Sequence, residues 1–338
     1  MMRKHRSAVL LVIIVLLAET PAGAIPIPAL NLPELTNGSA LIVVGQVIGV
    51  SEDGAASVEV GGRSVPARRM LARLHVSRVL KGRADASDIS FGFVIPDVPL
   101  GYAGVAANQF GMFFLRRSPQ QTLEVANPYY PSIVAARDAP AVEGEAFEQV
   151  VAELAYVVTA PKTSNDERVR AVNILEKVLT PTVTRALKQA AQGEHGAVSV
   201  HAAAVLLRRN DIQPLEAAAK ALLAPPQETE AGLRRTLAYS IRDGVSDERA
   251  VPVLARLLRA DDVEVRRSAA AALRHVASES VIEPLSSALR DGDREVRYQA
   301  VLGLAAASGQ SEWAPSVDLF EADEQRYITF WKDWLKVR

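Results

Sequence analysis

Cysteine is missing from the chain, and that absence removes several possibilities at once. Disulfides, thiolate metal sites and a lipid-modified N-terminal cysteine are excluded, so whatever folds here is held together by its apolar cores. Aromatic residues are also scarce, at 5% of the chain with three tryptophans, so each one has to be placed with care. No apolar run reaches the roughly 20 residues that a membrane-spanning helix needs. Beyond residue 24, the histidines His75, His195, His201 and His275 include no pair at helical metal-binding spacing and no H-E-x-x-H. A P-loop, a G-x-G-x-x-G and a G-x-S-x-G are missing too. The sequence therefore reads as non-enzymatic, with neither cofactor nor metal site.

Strong charge of either sign is lacking as well: 38 Lys+Arg stand against 39 Asp+Glu over 338 residues. Such a balance gives no electrostatic basis for bulk nucleic-acid binding. The length suits about two domains of usual size.

What is present begins with a targeting pattern. Arg3, Lys4 and Arg6 precede an apolar run from Ala8 to Ala18, and Ala22-Gly23-Ala24 offers a small-x-small cleavage site. Residues 1–24 read as a secretory signal peptide, which predicts an exported protein, periplasmic or extracellular, with no stable membrane span after cleavage. Residues 25–38 then form a Pro-rich linker, with Pro26, Pro28 and Pro33 favouring extended backbone over helix.

From residue 39 the pattern turns to β. Leu41 to Val50 is a β-branched apolar run containing Gly45 and Gly49. A loop rich in glycine and charge is expected from Ser51 to Arg63. Further strands are expected at Met70 to Leu80, Asp88 to Ile95, Phe110 to Arg116 and Thr122 to Ala126. Five short strands suit a small barrel, which leaves no sheet edge open. Phe91, Phe93, Phe110, Phe113 and Phe114 have few basic neighbours, which favours core packing over base stacking. Residues 136–163 read as a linker and a capping helix, with Phe147, Val150, Val151, Leu154 and Val158 at helical spacing.

The second half repeats itself. DVEVRRSAAAAL at 262–273 returns as DREVRYQAVLGL at 293–304. Followed back from Val296 and Val265, the pattern reaches Leu233, Val200 and Val169 at steps of 31 to 33 residues, which makes five copies. A basic residue follows each marker: Arg170, His201, Arg234, Arg266 and Arg297. Three residues before the markers stand Asp166, Ala197, Glu230, Asp262 and Asp293, and the aspartates are placed as helix N-caps. Each copy holds two helices, the second opened by a proline such as Pro252 or Pro284. One such pair cannot bury its apolar stripe, whereas stacked pairs share a continuous core. Glu324 to Val337 departs from the repeat, with Tyr327, Ile328, Trp331, Trp334 and Leu335 on one stripe; residues 319–338 read as a C-terminal capping helix.

Two resemblances follow from these residues. LIVVGQV, VSRVLKG and QFGMFFL resemble the OB-like, netrin-type β-barrel module of exported proteins. The pattern D-x-x-V-R-x-x-A followed by P-L-x-x-x-L resembles the short HEAT repeats of phycobilisome-lyase-like proteins, over about residues 164–308. Together they imply a multidomain α and β architecture: a five-stranded β-barrel at 39–135, then an α-solenoid of about five HEAT-like repeats at 164–318. The HEAT resemblance further implies an Asp/Arg ladder between successive repeats and a concave surface lined by second helices. On that surface Arg185, Lys188, Lys220, Arg256, Arg259 and Arg290 form a basic strip that suits another protein or peptide of acidic character. The expected function is a protein-binding scaffold. An enzyme, or an enzyme inhibitor acting through the barrel, is the alternative.

Overall fold

A computed structural model describes residues 27–193, 196–225 and 231–337, so the expected signal peptide at 1–24 lies outside the described residues. The first element is a helix, α1 (Leu32–Gly38). Asn31 caps it by accepting from the amide of Glu34, and Pro33 stands in its first turn, where a missing amide costs little. The sequence expectation of a linker through residue 38 is thus corrected. Leu32, Leu35 and Thr36 are buried, and that burial outweighs the extended preference set by the prolines before them.

The strands that follow are β1 (Leu41–Val60), β2 (Arg63–Lys81), β3 (Asp88–Pro96), β4 (Phe110–Arg117), β5 (Leu123–Val125) and β6 (Ser132–Ile133). They form one sheet in the order β1-β2-β3-β5-β4-β6, and β1 pairs with β4 as well as β2. Among the described residues only the β3–β5 pairing is parallel. The expected loop at Ser51–Arg63 is instead the far half of a long β1–β2 hairpin. Its register runs from Ile42↔Lys81 to Val60↔Arg63. Gly61 and Gly62 both have positive φ and close it as a two-residue turn, and that pair is what turned a glycine-rich stretch into a hairpin.

The sheet separates two cores. Val43, Val47, Leu74, Phe91, Phe93, Phe113 and Leu115 pack together on one face. Ile42, Val44, Leu80, Met112 and Phe114 form a second cluster with Val150, Leu154, Val172, Leu187 and Val205 of the helices that follow. The near-continuous apolar stretches of β1 and β4 are explained by this, since a strand buried on both faces has no polar side to alternate with.

Helix α2 (Ala146–Thr159) joins the sheet to the helices α3 (Asn165–Ile174), α4 (Pro181–Ala191), α5 (Ala197–Arg208), α6 (Leu215–Leu223), α7 (Ala231–Gly244), α8 (Val251–Leu257), α9 (Val263–His275), α10 (Ile282–Ala288), α11 (Arg294–Ser308), α12 (Val317–Ala322) and α13 (Glu324–Val337). Helices α3, α5, α7, α9 and α11 pack in succession as one layer, with α4, α6, α8 and α10 behind them, giving a helical solenoid. Alanines make close approach possible: Ala269, Ala270, Ala271 and Ala272 of α9 are all buried. At Gly244 a Cβ would collide with the backbone of Leu207 and Arg208 in α5.

Helix α13 ends the stack. Tyr327, Ile328 and Trp331 are buried, with Trp331 at 0% exposure, and Phe330 stacks on Trp313 at 3.5 Å between ring centroids. This stripe joins the core of the last repeats.

The Gly244→Ala variant is expected to lose about 1–3 kcal/mol, because the added methyl meets backbone that cannot rotate away. Urea denaturation of the full chain measures this, and an unchanged midpoint refutes the close-approach argument.

Candidate functional site

Arginines set the spacing of the solenoid. Arg266 donates from Nη1 to the carbonyl of Ala260 at 2.9 Å, just past α8, and Arg297 donates to the carbonyl of Asp291 at 2.7 Å, just past α10. Arg234 reaches the carbonyls of Ala221 and Leu222, each at 2.6 Å, in the last turn of α6. Each side chain satisfies carbonyls left without partners at a helix C-terminus, where the helix dipole also favours a cation. The same arginines pair onward: Arg266 with Asp291 at 2.9 Å, and Arg297 with Glu324. Arg267 grips Asp293 in two bonds of 2.9 and 2.7 Å. These are the rungs that the HEAT resemblance implied, and they lie between the last repeats and the cap.

In the first copy the structure shifts the register. Its N-cap is Ser164, in a capping box with Glu167, and not Asp166. Four residues after that cap stands Arg168, as Arg266 stands four after Asp262, and Arg168 donates to the carbonyl of Val158 at 2.9 Å. Arg168 is therefore the stapling residue, and Arg170 is released from the role that its sequence phase suggested. The second copy begins at Gly196, and there Arg209 reaches the carbonyls of Leu175 and Glu176. The third copy's expected cap, Glu230, lies outside the described residues.

A second fastening joins the sheet to the helices. Arg78 of β2 donates to Glu153 of α2 at 2.7 Å and to the carbonyl of Ala136 at 2.6 Å. Glu153 also accepts from the amide of Ala136 at 3.0 Å. The two side chains are 16% and 3% exposed. Burial pushes the Glu153 carboxyl above the usual carboxylate range, and Arg78 and the Ala136 amide pull it back only in part.

At this junction lies a groove of about 1180 Å³. The wall facing α3 carries Leu30, Phe110, Tyr130, Val134 and, from α2, Phe147. Tyr130 donates to the carbonyl of Pro28 at 2.6 Å, Gln109 donates to Ser132 at 2.7 Å, and the Arg137 guanidinium lies 4.3 Å from the Phe110 ring centre. Its repeat side carries Glu167, Arg170, Asn173, Glu176 and Lys177 from α3 and the link to α4. Leu179 stands at the rim, 77% exposed. A second cavity, of about 180 Å³, is lined largely by small residues such as Ala203, Ala218 and Ala221 between α5, α6 and α7.

The sequence-predicted strip is not one continuous open surface. Lys188 pairs with Asp211 at 2.8 Å and Arg256 with Glu216 at 2.6 Å. Arg185 and Lys220 are exposed on α4 and α6, and Arg259 and Arg290 are exposed in the turns after α8 and α10. The five phenylalanines expected in cores divide similarly: Phe91, Phe93, Phe113 and Phe114 are buried, whereas Phe110 is half-buried and lines the groove. Sequence reasoning missed the groove because it is assembled from residues more than 140 positions apart. The one local signal was Leu179, an apolar residue before Thr180-Pro181 that no helical stripe claims. Among the described residues no cluster of three His, Asp or Glu stands ready to hold a metal ion, and no helix is long and apolar enough to cross a membrane.

Comparison with known proteins bears on the helical half. Residues 227–305 match the family model of HEAT repeats, so that span is similar to HEAT repeats. Among solved structures it is similar to the Escherichia coli protein YibA, with 20% identity, 49% of this chain and 63% of that one covered, and a TM-score of 0.33. Two engineered proteins are also similar. One has 21% identity, coverage of 48% and 82%, and a TM-score of 0.32; the other has 18%, 58% and 61%, and 0.36. The chain thus spans less than two thirds of the length of YibA. No curated protein matches it.

The Arg267 pair and two backbone amides hold the Asp293 carboxyl down to about 2. A depressed folded-state value stabilises the fold above the ordinary carboxylate value, and that stability is lost as pH falls toward the depressed one. In Asp293→Asn, which keeps a competent N-cap, denaturant midpoints are expected to fall less steeply between about pH 4 and pH 2 than in the wild type. Parallel slopes refute the assignment. Arg78→Ala leaves Glu153 buried without its cation and is expected to cost about 3–5 kcal/mol, against a much smaller loss for Arg78→Met with Glu153→Leu. Chemical denaturation of both variants makes the comparison.

Proposed function

We propose that the protein is an exported, non-catalytic scaffold that binds another polypeptide at the junction between its β module and the first HEAT repeats. The observation that carries this is the junction groove. At about 1180 Å³ it is larger than a typical small-molecule pocket of roughly 300–1,000 Å³. A highly exposed leucine at its rim and half-buried aromatics within it supply the apolar contacts on which polypeptide docking depends.

The β module is read here as a small OB-like barrel. Supporting this is the way β1 pairs with both β2 and β4, so that the order β1-β2-β3-β5-β4 returns to its start. In this reading the barrel serves as the wall against which the partner is held. The amino-terminal pattern of residues 1–24 supports export. Acidic character in the partner is favoured by the exposed cations Arg185, Lys220, Arg259 and Arg290, which have no ion pair among the described residues and extend the basic surface along the repeats.

The test is site-specific photo-cross-linking in the full chain, with the reactive group at Leu179 in one variant and at Arg259 in another. A polypeptide cross-linked from Leu179 and not from Arg259 places the partner at the junction. Capture from Arg259 alone returns the function to the repeat strip, and capture from neither removes the scaffold reading.

A further inference from the structure

The junction groove selects for charge as well as shape. Four charged side chains line it, all on the repeat side. The two acids are already engaged: Glu167 accepts from the Ser164 hydroxyl at 2.6 Å and its amide at 3.1 Å, and Glu176 pairs with Arg208 at 2.8 Å. The two bases, Arg170 and Lys177, are exposed and have no ion pair among the described residues. Arg170 is free because Arg168 takes the carbonyl-stapling role that Arg234, Arg266 and Arg297 fill in later repeats. Across the groove stand Leu30, Phe110, Tyr130 and Phe147, none of them charged, and the Arg137 guanidinium on the Phe110 ring is held by Gln46.

We infer that the occupant of this groove is an extended peptide segment with apolar side chains facing the sheet and two carboxylates facing Arg170 and Lys177. The spacing can be estimated. Arg170 and Lys177 are seven residues apart on a helical backbone, or roughly 10 Å along its axis, and an extended chain covers that distance in about three residues. Acidic residues two to four positions apart, interleaved with Leu, Phe or Tyr, fit both walls. The groove's size favours a segment of several residues over a single acidic metabolite. This inference rests on the reading of the junction as the docking site and adds the chemistry of what docks there.

The experiment is selection of a displayed library of random nine-residue peptides against the immobilised full chain, followed by affinity measurement of the enriched sequences. Three variants serve as comparators: Arg170→Glu with Lys177→Glu, Leu179→Asp, and Arg185→Glu with Lys220→Glu as a control away from the groove. Circular dichroism checks that each remains folded. The expected result is enrichment of Asp or Glu pairs two to four residues apart beside apolar residues. Binding should weaken roughly tenfold or more on reversing Arg170 and Lys177 and change little in the control. Neutral or basic sequences that still lose binding in Leu179→Asp overturn the acidic occupant and leave the junction reading standing. Binders indifferent to every groove substitution, or no enriched sequence at all, overturn both.

Discussion

Burial of β1 and β4 on both faces is the constraint on which the rest of the molecule depends. Consecutive residues Leu41, Ile42, Val43 and Val44 are all buried, because alternate side chains enter different cores. One core lies within the sheet. The other continues through α2 into α3, α4 and α5. The β module and the first repeats therefore share one hydrophobic cluster, and neither can be removed without exposing apolar surface of the other. The groove lies where Phe110 of the sheet and Phe147 of α2 line a gap shared with α3.

Polar chemistry then fixes what the apolar cores leave adjustable. The Arg78 and Glu153 pair binds a strand to a helix at the point where the architecture changes, and it satisfies backbone groups of the connecting segment as well. Along the solenoid the same task falls to arginines that close the carbonyl ends of preceding helices. A guanidinium suits both places because its planar fork serves a carboxylate and a carbonyl at once. Deletion of one partner from such a site exposes the cost of the other, so these positions tolerate paired replacement better than single replacement.

Much of this architecture was legible in the sequence where periodicity was strong. The last two repeats keep Asp, Val, Arg and Leu in phase, and the structure places Asp262 and Asp293 as the N-caps that the pattern required. Glu324 to Val337 was equally clear, because its large aromatics repeat at helical spacing in a chain with few of them. The first repeat was misregistered by two residues, since Ser164 with Glu167 makes a better cap than Asp166, and a fixed period cannot see that local competition. The linker reading failed at Leu32–Gly38 because the prolines before it speak only of local backbone, whereas burial of Leu32 and Leu35 is a tertiary effect. The groove was beyond any local reading, as was the pairing of Lys188 and Arg256 with acids, because these depend on which surfaces folding brings together.

The aromatic cap formed by α13 has a consequence for how the molecule can associate. A stack of near-identical helix pairs offers the same surface at each step, so an uncovered end invites the next copy and, through it, an open fibre. Here Trp331 and Tyr327 cover the final repeat, while at the opposite end α2 and the sheet cover the first. The stack is stoppered at both ends. Covering both ends buries apolar surface through which a stack of repeats would otherwise meet another copy.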